Sequence, residues 1–278
     1  MEIEENINSK IKEEEVDSEA EEEEMLKKEL LETTYLDLNE FDAKENDYLL
    51  VASYGNAAGF LKLSLYEEIK KNSLAFKGKF FQQKESEKNK PKKLVGELYQ
   101  FKTESGGFSL VLFLKQEFNF QNYQTVADLL LNPSSKNNLV QVKKGVVFLE
   151  SKFFKDLILS TSDNHELYKK RLFHYKNDIQ CQSNQIVKGE ELPIFNGIKS
   201  FSAYLSVKSS LLGLPFVFYY ATYTEHEVCL ENILVFKELE VSYSFLRGKL
   251  EHERLKNLKP SYQTILSEYN ASKSNMFA

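Results

Sequence analysis

A chain of 278 residues, 42% hydrophobic and 28% charged, can bury a substantial core as one large domain or two small ones. Its formal net charge of -6 is unevenly spread: residues 1–32 hold 14 acidic and 4 basic residues, leaving 28 acidic and 32 basic for the remainder. An acidic tail before a nearly neutral body gives no footing for nucleic-acid binding, and two cysteines, Cys181 and Cys229, rule out a disulfide framework and suit a reducing compartment.

Like-charge runs such as Glu21-Glu22-Glu23-Glu24 repel themselves and cannot pack, so residues 1–40 read as a disordered acidic tail. The start lacks the apolar run of a secretory signal. The longest apolar stretch, residues 211–221, is interrupted by Gly213 and Pro215 and is too short to span a bilayer. A cytoplasmic protein is expected, with a nuclear location also open.

The body, residues 41–265, begins with "DYLLVAS" (47–53), a short apolar run that reads as a buried strand. "AAGFLKLSLYEEIKK" follows, with Ala58, Leu61, Leu65 and Ile69 at helical spacing, so a strand–turn–helix unit is predicted. Residues 82–93, "QQKESEKNKPKK", contain no apolar side chain and read as a solvated loop. "KLVGELYQF" and "FSLVLFL" are two strands around a turn at Gly106-Gly107, and "QNYQTVADLLL" is a helix that must stop near Asn132-Pro133. "GVVFLES" and "KDLILSTS" are further strand candidates, while residues 163–192 give no clear pattern.

From 194 to 245 the pattern is sharper. Ile198, Phe201, Leu205 and Leu212 share one helical face, Gly213 supplies a left-handed stop, and Pro215 prevents continuation. "PFVFYYA" is an aromatic strand, and Thr224 with Glu227 has the spacing of a capping box opening "EHEVCLENILVFKEL" as a helix. Alternating strands and helices predict an α/β fold with a largely parallel sheet covered by helices.

No catalytic constellation stands out. The turn "YGNAAG" after the first strand is neither a G-x-G-x-x-G fingerprint nor a P-loop; Gly55 suits a tight turn and Gly59 close packing of the helix on the sheet. Ser53 lacks the flanking glycines of a nucleophile elbow. His165, His174, His226 and His252 are scattered, and His226-Glu227 and His252-Glu253 lack a second histidine four residues on. Cys229 lies three residues after His226, but no four-ligand set emerges. No cofactor, metal site or catalytic residue is expected.

Three stretches together resemble the proteasome assembly chaperone 1 family, the larger partner of a heterodimeric chaperone of the proteasome α-ring. They are "YLLVASYGNAAGFL" (48–61), residues 191–239 from "ELPIFNGIKSFSAYLSV" through "LGLPFVFYYATYTEHEVCLENILVFKEL", and the ending "SNMFA". The resemblance covers about a third of the chain. It implies a nucleoside-phosphorylase-like sheet without the catalytic site, a heterodimer with a second chaperone, and binding to proteasome α-subunits. It also implies that residues 266–278 are a flexible tail whose Met276, Phe277 and Ala278 anchor the chain; the family favours tyrosine where this chain has Phe277. A surface-recognition chaperone is therefore weighed against a divergent α/β enzyme, a nucleoside-binding enzyme or hydrolase, using the "SYGN" turn.

Overall fold

The computed structural model describes residues 32–38, 45–65, 75–84, 89–103, 107–131, 141–158, 168–177, 189–192, 200–224 and 228–246, with Gln263 and Ser267 besides. Among the described residues, nine strands form one mixed sheet: β1 (Glu32–Leu38), β2 (Glu45–Ala52), β3 (Ala75–Lys84), β4 (Lys93–Lys102), β5 (Phe108–Leu114), β6 (Gln141–Phe153), β7 (Leu172–Lys176), β8 (Glu190–Glu191) and β9 (Phe216–Tyr223). Their spatial order is β1-β3-β4-β5-β2-β6-β9-β7-β8.

The centre, β5-β2-β6-β9, is parallel throughout. Its strands are the continuous apolar runs of the sequence, such as "FSLVLFL" and "FVFYYATY", because a strand covered on both faces has no solvent side to alternate with. The flanks are mainly antiparallel: β1, β3, β4 and β5 pair in succession, β7 runs against β9, and only the two-residue edge strand β8 lies parallel to its neighbour β7. The α/β reading holds, with the parallel pairing concentrated in the sheet's middle.

Helices α1 (Asn56–Ser64), α2 (Tyr123–Leu131) and α3 (Ser200–Leu211) cover the two faces. One face packs Leu50, Val111, Leu149 and Tyr219 against α1 and against short helical turns between Leu230 and Leu246. The other packs Leu49, Leu112, Phe148 and Phe218 against α2 and α3. Each large side chain so buried contributes roughly 1.5–3 kcal/mol.

Several expectations need correction. The sheet reaches back into residues 32–38, inside the segment that charge alone assigned to the tail. Strand β3 runs through Lys84, so the solvated stretch begins later than Gln82; its polar end is tolerated because β3 lies between β1 and β4, outside the double-covered centre. "KDLILSTS" opens as a 3₁₀ turn at Phe154–Asp156, and β7 with the edge strand β8 lies within residues 163–192, which show no clear pattern in sequence. The last helix is broken into Leu230–Ile233, a 3₁₀ stretch Leu234–Glu238 and Leu239–Ser242. Cys229 is its N-cap and makes no side-chain cap bond, so Thr224 does not open it. Glu227, Ile69, Ile198 and the 106 and 132–133 turn residues lie outside the described residues. Gly213 has φ 70 and is the predicted left-handed stop.

Candidate functional site

The first place to look is the carboxyl edge of the parallel strands, where α/β proteins hold ligands. At the end of β2, the Ser53 N–H donates to the Leu149 carbonyl (2.9 Å), and the Ser53 carbonyl accepts from the Ala58 N–H (3.1 Å). Gly55 enters α1 with φ 101, a conformation in which a side chain would be strained. The helix start is sealed: Asn56 is buried, and Ala57 and Ala58 are fully so. A Cβ on Gly59 would come within 3.0 Å of Ile233 Cδ1, so this glycine makes room for the carboxyl-terminal turns, which corrects the expectation that it packs the helix on the sheet. A phosphate needs exposed N–H groups at a helix start. This turn is built for packing.

A second group of polar residues gathers where α3 meets the same edge. The Glu117 carboxylate, beyond β5, accepts from the Phe201 N–H in the first turn of α3 (2.6 Å) and from the Tyr123 hydroxyl (2.9 Å). Burial holds the Tyr123 phenol above its ordinary range, and the Glu117 charge beside it adds to the rise. Glu150, near the end of β6, accepts from the Ser202 and Tyr220 hydroxyls. Burial pushes its carboxyl up to about 7, reinforced by Glu117 and opposed by those two hydrogen bonds and by Lys152. Tyr220 is likewise raised by burial and by Glu150.

A carboxyl poised near neutrality is a familiar general acid or base. Here, however, its carboxylate is taken up by Ser202 and Tyr220, both at least nine-tenths buried, and Glu150 itself is half-buried beside the start of α3. The two carboxylates therefore seat α3: Glu117 takes up an N–H that the helix leaves unpaired, and its charge opposes the positive end of the helix dipole. Reading the sequence missed this group because it is assembled from residues 117, 123, 150, 201, 202 and 220, with no local spacing to reveal it.

The third feature is α3 itself. Its inner side carries Phe201, Ser202, Leu205, Ser206 and Ser209, all buried. The Ser206 and Ser209 hydroxyls are satisfied by the Ala203 and Leu205 carbonyls of their own helix, both at 2.8 Å. Its outer side carries Tyr204, Val207 and Leu211, all exposed. The usual polarity of a surface helix is thus largely inverted. Leu212, expected on the core face, lies past the last turn and is exposed.

Of the other candidates, His174 approaches the Gly189 carbonyl (Nδ1 to O, 3.2 Å), and Cys229 is a half-buried free thiol. His165, His226, His252 and Cys181 lie outside the described residues, as do Met276, Phe277 and Ala278. Among the described residues no three His, Cys, Asp or Glu side chains gather to hold a metal ion, and no helix is long and apolar enough to cross a membrane.

No protein-family model matches the chain, and no curated protein does. Among solved structures it resembles Pyrococcus furiosus PbaB, an archaeal proteasome activator, with a TM-score of 0.53 and 11% identity over 85% of this chain and 98% of that one. It also resembles Pyrococcus furiosus PbaA, an archaeal homolog of proteasome-assembly chaperone, with a TM-score of 0.50 and 10% identity over 88% of this chain and all of that one. At such identities the likeness is one of fold.

Proposed function

We propose that this chain is a proteasome assembly chaperone acting by surface recognition. Paired with a second chaperone of similar fold, it binds the α-ring of the 20S proteasome, promotes assembly of the ring and blocks off-pathway contacts. The observation that carries this reading is the fold shared with PbaB and PbaA over nearly their whole lengths. The sealed turn after β2 supports it from the other side, since the competing nucleoside-binding or hydrolase reading needs that turn open to a ligand. Replacing Ser53 with alanine should accordingly leave ring binding intact.

Met276, Phe277 and Ala278 are the proposed anchor. Burying the Met276 and Phe277 side chains in a pocket between α-subunits would contribute roughly 1.5–3 kcal/mol each. A charge-assisted bond from the Ala278 carboxylate would add about 1.5–3 kcal/mol. Ordering each tail residue costs on the order of 1–2 kcal/mol. The tail alone is then a weak ligand, and useful affinity comes from linking it to the body surface and to a partner's tail. Deleting Met276–Ala278 is expected to remove most ring binding in a pull-down of assembly intermediates while folding is retained. Phe277→Tyr should bind at least as well. Undiminished binding by the truncated chain would refute the anchor.

A further inference from the structure

We infer that the first turn of α3 is held on the sheet by a proton-operated catch: neutral Glu150 keeps the turn seated, and ionised Glu150 lets it go while the sheet stays folded. This is a local event at one helix start, distinct from the stability of the whole chain, and it stands apart from the proteasome reading.

Three parts of the chain meet at this point of the sheet's carboxyl edge. Glu150 on β6 stands beside Tyr220 on β9 in the parallel register, and both alternate onto the face that α3 covers. The Glu150 carboxyl takes the hydroxyls of Tyr220 and of Ser202 in α3. One residue earlier in α3, the Phe201 N–H donates to the Glu117 carboxylate at 2.6 Å. Two acidic side chains, distant in sequence, thus fasten consecutive residues of one helical turn.

The two fastenings differ in what they tolerate. Glu117 is exposed, and its charge faces the positive end of α3. Burial raises its carboxyl, but the bonds from the Phe201 N–H and the Tyr123 hydroxyl of α2 oppose the rise. Glu150 is half-buried against Ser202 and Tyr220, which are themselves buried. A negative charge on Glu150 has Glu117 as a like-charged neighbour. Lys152, two residues on along β6, pulls the other way, and more weakly than Glu117 pushes. Tyr220 and Tyr123 hold their protons more tightly than usual, so β9 and α2 bring neutral hydroxyls. The one charged residue of α3, Lys208, pairs with Asp128 at 2.8 Å. Seating α3 over an ionised Glu150 therefore withdraws a charge from water beside a like charge.

Lifting the helix start removes that cost, because water then reaches the carboxylate. With the turn seated, the Glu150 carboxyl is pushed up to about 7; with the turn released, it falls back toward its ordinary value of 4.5. Seating takes up a proton, so its stabilising share is complete below the ordinary value and is lost as pH rises through about 7. Above that point the ratio of released to seated turn climbs about tenfold per pH unit. The backbone pairing of β6 with β9 makes no use of the carboxyl, so the sheet outlasts the release.

The chain contains no tryptophan, so Tyr204→Trp sets a single fluorophore just beyond the catch, next to Tyr123. Its emission is followed in the full chain from about pH 5.5 to about pH 8.5, a range that brackets the transition. The expected result is a reversible shift with its midpoint at about 7, while far-UV circular dichroism keeps the strand and helix signal. Adding Glu150→Gln, which stays neutral at every pH, should abolish the shift. Adding Glu117→Gln removes the like charge and should move the midpoint down. The 4 histidines titrate in the same range and remain in both variants, so a shift that survives Glu150→Gln belongs to them and overturns the inference. An emission that does not change with pH overturns it too, as does a shift accompanied by loss of the far-UV signal. A midpoint that Glu117→Gln leaves in place removes the opposition between the two carboxylates, and the catch with it.

Discussion

Helices α1 and α3 cover opposite faces of one sheet, and both carry apolar side chains on every turn. The first is buried nearly all round: of its nine residues only Lys62 reaches solvent to any degree. Its outer side is roofed by Ile233, 3.0 Å from the space beside Gly59, and by Phe236, whose ring stacks on Phe60 at 5.4 Å. The second is buried on its inner side alone, and its outer side keeps Val207 and Leu211 in the open. Apolar composition is therefore a poor guide to burial within one chain. On α1 the apolar residues answer to the chain's own carboxyl-terminal turns, whereas on α3 a share of them answers to nothing among the described residues.

This contrast can be broken most sharply by truncation. Phe60→Ala removes a fully buried ring and should cost about 3–5 kcal/mol, whereas Leu211→Ala should stay within about 0.5 kcal/mol. Urea unfolding of both variants measures the difference. Equal losses would mean that α3 is roofed like α1.

Overpacking gives the next largest effect. Gly59→Val places a branched side chain against Ile233 and should cost about 1–3 kcal/mol by thermal unfolding. A neutral result would mean that the carboxyl-terminal turns yield easily and do not hold α1 down.

The seat of α3 is sharpened by pH. Glu150 has its carboxyl raised from 4.5 to about 7 in the folded chain, so folding takes up a proton between those values. Its stabilising share is complete below the unfolded value and is lost as pH rises through about 7. Between acidic and mildly alkaline buffer the native chain should lose on the order of 1–3 kcal/mol relative to Glu150→Gln, whose amide stays neutral. Urea midpoints of the two chains at both pH values give the comparison; parallel pH profiles would show that the carboxyl is not enclosed.

Glu117→Gln is the mildest change. It weakens the acceptor for the Phe201 N–H and should cost about 1 kcal/mol, with slowed hydrogen exchange at Phe201 partly lost. Exchange at Phe201 unaffected by the substitution would leave Glu117 without a role in seating α3.

Much of the framework was legible in the sequence, for a physical reason. β2, β5, β6 and β9 are double-covered, so they appear as unbroken apolar runs, and the helices after β2 and β5 carry apolar residues at helical spacing. β3 and β7 carry no such run because they lie nearer the sheet's edges, where polar residues such as Gln82, Gln83 and Lys176 are tolerated. The broken helix after Cys229 misled because "LENILVFKEL" has apolar spacing whether it winds as α or as 3₁₀ turns. The cradle of Glu117 and Glu150 was invisible, since its members come together only through the pairing of β6 with β9 and the docking of α3. The inverted face of α3 was half visible: Phe201 and Leu205 point inward as their spacing predicts, while the serines beside them gave no sign of being buried.

The central claim is that this chain works by recognising proteasome α-subunits. Affinity purification of the tagged full-length protein from its own cells, with the bound proteins identified by mass spectrometry, tests it most directly. The account predicts α-subunits of the 20S proteasome together with one partner chaperone of similar size, and their loss when Met276–Ala278 are deleted. Recovery of the chain with no α-subunit, under conditions that preserve assembly intermediates, would contradict it.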